Sequence, residues 1–383
     1  MRNVCVVITS RPSYSRIKTV LDAIQAHPDL NLQIVAAASI LLDRYGAAVN
    51  HIEADGFNVD AKVYCVLEGE NPLTMAKTTG LNLLELPTVF DRLKPDVIIT
   101  IADRHETIAT AIAASYMNIP VAHIQGGEIT GTIDERVRHA VTKLSDFHFV
   151  STEQARKRVI GMGEDPEHVY KTGCPSIDLA AQVLADPGEY VDPFVKYGGV
   201  GNIFNLENGY LVVMQHPVTT EYEQARAQVE ETLYAIKMVD MPTLWFWPNV
   251  DAGSDGTSGG IRAFRENNAL ENVHFFKDLA PLDFLRLLYH SRGIIGNSSV
   301  AIRECSYLGV GAVNIGTREA GRERGLNVID VEHNRWQILD AIQSHLMRNR
   351  FTPEKLYGDG KAGERIADIL ASVDLGTDKR MTY

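Results

Sequence analysis

Short apolar runs, each leaving through a polar or glycine-bearing loop into a helical stretch, recur along the whole chain and constrain its fold more than any other feature. "VCVVIT" at 4–9 is β-branched and is followed by Ser10-Arg11-Pro12-Ser13, so it reads as a fully buried strand, then a helix from about Ser15 to Ala26. "LQIVAAAS" (32–39), "VIIT" (97–100), "VAHIQ" (121–125) and "FHFV" (147–150) continue the series, with an alanine-rich helix over 105–117. Apolar strands separated by helices predict a parallel sheet covered on both faces. The stretch 186–209, "DPGEYVDPFVKYGGVGNIFNLENG", is rich in Gly, Pro and Asn and lacks periodicity, which marks a boundary. Beyond it the alternation resumes with "YLVVMQHP" (210–217), a helix near 222–238, "TLWFWPN" (243–249), "VHFFKD" (273–278), "GIIGNSS" (293–299) and "GAVNIG" (311–316). The expected α/β organisation is a doubly wound domain over 1–185, a linker over 186–209, a second such domain over 210–355, and a helical segment over 356–383 packing back on the first. Two such domains facing a central cleft would offer it the loops at the carboxyl ends of both sheets, where open α/β sheets bind ligands.

Composition narrows the classes of function. The 383 residues leave room for two cores. The formal net charge of −12, from 37 Lys and Arg against 49 Asp and Glu, disfavours general attachment to nucleic acid or to an anionic membrane. It still permits a local anion site built from a few donors. Cys5, Cys65, Cys174 and Cys305 are widely spaced, which favours buried free thiols over a disulfide framework. No run approaches the roughly 20 apolar residues of a membrane span. "MRNVCVVITSRP" enters a strand directly, so cytoplasmic residence is expected. GxGxxG, GxxxxGK[ST], HxH and HExxH patterns are all missing from the sequence, so neither a nicotinamide cofactor nor a metal is expected.

Three clusters carry candidate chemistry. In "GNSSVAIREC" (296–305) an apolar strand runs into a helix start, so Asn297, Ser298 and Ser299 can offer N–H and hydroxyl donors to a diphosphate. Glu304, placed within two turns of the helix, can accept from a vicinal diol; simple capping and a solvated carboxylate are the plainer alternatives. In "IADRHETIATAIAASY", Asp103 and Glu106 have capping-box spacing, yet Asp103 also stands at the carboxyl end of a strand. "HIQGGEITGTIDERVRHA" puts two glycines before Glu128, then a helix start at Thr132 or Asp134, with Glu135 and His139 as i,i+4 neighbours. His123 could be a satisfied strand histidine, and Glu135 a first-turn carboxylate favoured by the helix dipole. Arg11, with Lys18 or Arg16 nearby, could neutralise a phosphate, and His216 ends the strand before Pro217. Arg318 and Arg322 in "GTREAGRERG" (316–325) could clamp a diphosphate or decorate a solvated face. Trp245-Phe246-Trp247 is expected to be core on one side and a cleft wall on the other.

These segments together resemble the UDP-N-acetylglucosamine 2-epimerase family, and more closely its hydrolysing branch, which releases N-acetylmannosamine in sialic acid synthesis. The resemblance rests on "DRHE" (103–106), "HIQGGEITGTIDERVRHAVTKLSDFHF" (123–149), "GCPSIDLA" (173–180), "QHP" (215–217), "GNSSVAIREC" and "VNIGTREAGRERG", in order along the chain. The first loop, "SRPSYSRIK", carries neither the RPEAIK run of the non-hydrolysing branch nor the RAEYG run of the hydrolysing one.

The resemblance implies a GT-B-like fold of two Rossmann-like domains and no cofactor. It implies catalytic roles for Asp103, Glu128, Glu135 and His216. Ser298, Ser299 and Glu304 would hold phosphates and ribose, and Arg11, Arg318 and Arg322 would lie near the nucleotide. The implied partner is a UDP-sugar, and the implied assembly a homodimer or homotetramer. In the implied reaction UDP leaves C1 as a proton leaves C2, and water then adds to the 2-acetamidoglucal. A UDP-2,4-diacetamido-trideoxyhexose substrate, a non-hydrolysing epimerase and a GT-B glycosyltransferase stand as alternatives.

Overall fold

In the computed structural model the residues described are 1–69, 71–101, 104–131, 133–188, 192–248, 251–268 and 270–382. The first series of apolar runs forms β1 (Arg2–Ile8), β2 (Leu30–Ala37), β4 (Val97–Ile101), β5 (Val121–Ile124) and β6 (Phe147–Val150), and two short strands that the sequence did not announce, β3 (Ala61–Val63) and β7 (Val169–Lys171), complete the sheet. These pair in the order β3-β2-β1-β4-β5-β6-β7, every pair parallel. The alternation along β1 shows why its run is continuously apolar. Val4, Val6 and Ile8 pack with Ile17, Leu21, Ile366 and Leu370 on one face, while Cys5 and Val7 pack with Leu86, Phe90 and Ala113 on the other.

The second series forms β9 (Leu211–Met214), β10 (Thr243–Phe246), β11 (Val273–Phe276), β12 (Gly293–Gly296) and β13 (Ala312–Ile315), joined by two strands that the sequence did not announce, β8 (Val200–Gly201) and β14 (Val328–Val331). Their order is β14-β13-β12-β9-β10-β11-β8, with only β8 antiparallel among the described pairs. In both sheets the strand order reverses beside the first long strand, at β1/β4 and at β9/β12. Such a switch point leaves a crevice outside the carboxyl ends of the strands.

The chain divides into two compact units, one of Met1–Glu128, Ile133–Asp178 and Tyr357–Tyr383, the other of Ile129–Thr132 and Leu179–Leu356. Residues 186–209, expected as a linker, carry a helix (Pro193–Tyr197) and β8. Asp192 caps that helix through Phe194 N and Val195 N, and Phe194 packs edge-on against His274 with ring centres 4.8 Å apart. Trp245 and Phe246 are both fully buried, the latter 5.1 Å from the Phe284 ring, so the expected wall-forming face of this strand is core as well. All four cysteines are free and buried. Among the described residues no helix is long and apolar enough to cross a membrane.

The "GCPSIDLA" segment anchors the end of the chain within the first unit. Asp178 accepts from Ala362 N (2.9 Å), Gly363 N (2.7 Å) and Thr19 Oγ1 (3.0 Å), so it satisfies the first N–H groups of the helix Ala362–Ser372. At Gly363 a Cβ would stand 2.5 Å from Thr19 O, so only glycine allows this approach. Arg2 completes the other end by donating to Leu370 O and Val373 O. Asp178→Ala is expected to lower unfolding free energy by about 1–2 kcal/mol, measured by urea titration, because a helix cap and a buried hydroxyl lose their acceptor.

Candidate active site

In the first unit the candidate acids hang on the exit from β5. Gln125 takes a positive φ of 69° and Gly127 one of 74°, turning the chain sharply after the strand. A Cβ on Gly127 would lie 2.4 Å from Ala155 O, which explains the need for glycine against the helix Glu153–Gly161. Gly126 lies against His123 and Thr142, whose Nδ1 and Oγ1 are 3.2 Å apart. His123 is thus a fully buried, satisfied strand histidine.

Glu128 follows, only 4% exposed, with Ser151 Oγ donating to its Oε1 at 2.8 Å. Ser151 stands just past β6, so two neighbouring strand ends fix one carboxylate. Glu135 lies in the first turn of the helix Ile133–Leu144, and its Oε1 is 2.9 Å from His139 Nε2. The expected i,i+4 pairing is therefore present. Arg138, 1% exposed, connects the two acids: its Nη1 donates to Glu128 O at 2.8 Å and to Glu135 Oε2 at 3.5 Å. A buried guanidinium holding the loop of one carboxylate and facing the other can keep both in fixed relation.

Asp103 lies outside the described residues. Its expected capping partner, Glu106, does not act as one. The helix Thr107–Tyr116 starts after Glu106, which makes no side-chain cap bond. Instead Arg104 Nε donates to Glu106 Oε1 at 2.8 Å, and His105 Nδ1 is 3.1 Å from Oε2. Burial alone would raise this carboxyl, but Arg104 and then His105 outweigh it and hold it at about 2. Arg11 opens the helix Arg11–Ala26 at the carboxyl end of β1, behind the Ser10 cap. Lys18 pairs with Asp22 (3.4 Å) and Asp55 (3.5 Å).

In the second unit the ends of β9 and β12 are tied by one side chain. Asn297 Oδ1 accepts from His216 N at 2.7 Å, and Asn297 Nδ2 donates to His216 O at 2.8 Å. Asn297 is completely buried, and its amide is spent on this backbone pairing rather than pointing to a ligand. The strands come together this closely because Gly296 has φ 137° and no Cβ, which would otherwise stand 2.1 Å from Met214 O. Ser298 then caps a short 3₁₀ turn, and Ser299 Oγ accepts from the buried Arg303 Nη2 at 2.8 Å. Glu304 begins the helix Glu304–Leu308, within the two turns expected. It is buried, and among the described residues its Oε2 has no hydrogen-bond donor, with Arg303 Nε 3.9 Å away. Such an orphaned acceptor suits a diol.

Past β13, Arg318 Nη1 donates to Asn297 O at 3.0 Å and to Glu319 Oε1 at 2.9 Å, while Arg322 Nε is 2.7 Å from Glu319 Oε2. Gly131 N donates to Arg318 O at 3.0 Å, and a Cβ there would lie 2.1 Å from Thr317 O. The glycine of "EITGTID" therefore serves close backbone packing. Among the described residues no group of three His, Cys, Asp or Glu side chains could hold a metal ion. Sequence reasoning missed Ser151, Arg138, Arg303 and Glu319. Arg138 alone had a local signal, its i,i+3 spacing from Glu135.

The profile of the UDP-N-acetylglucosamine 2-epimerase family matches residues 22–371. A Legionella pneumophila protein named UDP-N,N'-diacetylbacillosamine 2-epimerase (hydrolyzing) is 32% identical, over 98% of this chain and 97% of its own. A Neisseria meningitidis UDP-N-acetylglucosamine 2-epimerase is 27% identical, over 97% of this chain and 95% of its own. The Methanocaldococcus jannaschii UDP-GlcNAc 2-epimerase, solved with UDP-GlcNAc and UDP, superposes with a TM-score of 0.80 at 20% identity, covering 96% of this chain and 99% of that one. At that identity the likeness speaks for the fold, two parallel-sheet α/β domains of the GT-B-like kind. With a profile that spans most of its length and a relative matched from end to end, the chain belongs to the UDP-N-acetylglucosamine 2-epimerase family.

Proposed function

We propose that this protein is a hydrolysing 2-epimerase that converts a UDP-2-acetamido sugar and water into UDP and the free sugar with C2 inverted. The observation that carries the chemistry is the pair Glu128 and Glu135, held by one buried guanidinium, Arg138. In this reading a carboxylate removes the C2 proton as the C1–oxygen bond to UDP breaks, leaving a C1–C2 double bond. Water then adds its oxygen to C1, and a proton is delivered to C2 from the opposite face. Each half-step needs one proton acceptor and one proton donor, and two acids in distinct surroundings can divide the work. Glu128 is buried beside a hydroxyl donor, whereas Glu135 is partly exposed and faces His139 and Arg138. Asp103 is assigned to orient or protonate, and His216 to assist from the second unit. Ser298, Ser299, Arg318, Arg322 and Arg11 would stabilise the leaving diphosphate, and Glu304 would accept from the ribose.

For the sugar, sequence resemblance pointed to N-acetylglucosamine. Relatives 32% and 28% identical are instead named as hydrolysing epimerases of diacetylbacillosamine, which favours a 2,4-diacetamido-trideoxyhexose here. The Neisseria relative keeps N-acetylglucosamine as the second reading. Incubation with each UDP-sugar in heavy water, without any acceptor, separates the readings. The expected products are UDP and the C2-inverted free sugar bearing one deuterium at C2, with the larger kcat/KM for the diacetamido substrate. Return of an intact UDP-sugar epimer would mean a non-hydrolysing enzyme. Free sugar with its original configuration and no deuterium would mean glycosyltransferase-like hydrolysis.

A further inference from the structure

We propose that Glu319 is the positioning residue of an arginine clamp for the substrate's diphosphate, an inference that rests on the nucleotide role proposed above for Arg318 and Arg322. Glu319 is 1% exposed and lies in the loop that leaves β13. One oxygen accepts from Arg318 Nη1 at 2.9 Å; the other stands 2.7 Å from Arg322 Nε, an ionic contact off the hydrogen-bonding angle. One buried carboxylate therefore holds two guanidinium groups. The assembly is tied at three further points. Arg318 Nη1 reaches Asn297 O at 3.0 Å, beside Ser298 and Ser299; Arg324 Nη2 donates to Glu319 O at 2.8 Å; and Gly131 N donates to Arg318 O at 3.0 Å.

Without the carboxylate two cations at this spacing repel, and two long side chains spread over many rotamers. With it the group keeps a net positive charge, and the planar fork of each guanidinium is held in one orientation. The ordering cost is then met during folding rather than on ligand binding. A carboxylate this buried is costly to strand, so Glu319 keeps its arginines when a ligand arrives.

Two roles for Glu319 predict opposite signs. As a negative charge merely near an anion it opposes a diphosphate, and Glu319→Gln should tighten binding. As an organiser it orients both forks, and Glu319→Gln should weaken binding. Calorimetric titration of the full chain with UDP and with UMP reads the difference directly. The expected result is about a tenfold loss of UDP affinity with little change for UMP, so that the preference for the second phosphate shrinks. Arg322→Gln should give a similar loss, and the double variant should lose little more, because the pair acts as a unit. Unchanged or tighter UDP binding, equal losses for UDP and UMP, or additive losses in the double variant would each overturn the clamp. The titration needs no turnover, so its outcome does not depend on the catalytic reading. A wild-type protein that binds UDP but epimerises nothing removes the catalytic reading and leaves the clamp to be judged by the variant ratios. A wild-type protein that binds no UDP overturns both.

Discussion

Glu128→Gln is expected to cut turnover of the UDP-sugar by about a thousandfold while leaving UDP affinity nearly unchanged. The substitution keeps shape and volume, and the amide oxygen can still accept from Ser151 Oγ, which lies 2.8 Å from the carboxylate. Arg138 Nη1 donates to the backbone oxygen of Glu128, so the loop stays anchored as well. What disappears is the ability to take or give a proton. If Glu128 acts in the hydration half of the reaction, the variant should accumulate the unsaturated glycal together with UDP. If it removes the C2 proton, neither UDP nor deuterium exchange at C2 should appear. Mass spectrometry of a single-turnover mixture distinguishes the two. Full-speed formation of the C2-inverted free sugar by the Gln variant would falsify any proton-transfer role for this residue.

The strands most visible in the sequence are those buried on both faces. β1, β4, β5, β6 and β9 to β13 announce themselves as largely apolar runs, with isolated polar residues such as His123, His148, His274 and Asn314, because they are buried on both faces. β3, β7, β8 and β14 lack such runs, and all four lie at the margins of their sheets. β7 and β3 have three residues and β8 has two, too few to show any period. The candidate site divides in the same way. Glu128, Glu135, Ser298 and Ser299 could be picked out because glycine loops and helix starts leave local marks. The groups that fix them come from distant positions: Ser151 is 23 residues from Glu128, and Asn297 is 81 from His216. Spacing carries no trace of such pairs, because their distance is set by sheet order rather than by chain period. Glu319 was hidden differently. It leaves no local mark in the sequence, and its burial against Arg318 and Arg322 shows it as the centre of the group.

The largest expected stability effect lies away from the catalytic groups, in a buried ionic cluster that docks the end of the chain onto the first unit. Glu164 Oε1 meets Lys143 Nζ at 2.5 Å, and Oε2 meets His148 Nε2 at 2.8 Å and Lys379 Nζ at 2.5 Å. Lys379 also donates to Thr142 O and Ser145 O, capping the last turn of the helix that carries Glu135 and Arg138. Burial alone would raise the Glu164 carboxyl, but its bonds from His148, Lys143 and Lys379 overcome that and hold it at about 2, below its ordinary value of 4.5. A carboxyl depressed on folding contributes stability that is fully present above 4.5 and fades as the pH falls toward 2. Allowing for the partial exposure of both lysines, that contribution is on the order of 2–3 kcal/mol. His148 adds a separate loss of the same sign: burial lowers its pKa from 6.5, so acid below that point favours the unfolded chain. Glu164→Gln should therefore lower unfolding free energy by about 2–3 kcal/mol at pH 7, and the gap from wild type should shrink by more than half by about pH 3. Urea titrations across this range measure both curves. A gap that stays constant from pH 7 to about pH 3 would show that the glutamine disturbs packing rather than removing a charge. In that case the acidic tail of the stability curve would have to come from other carboxylates.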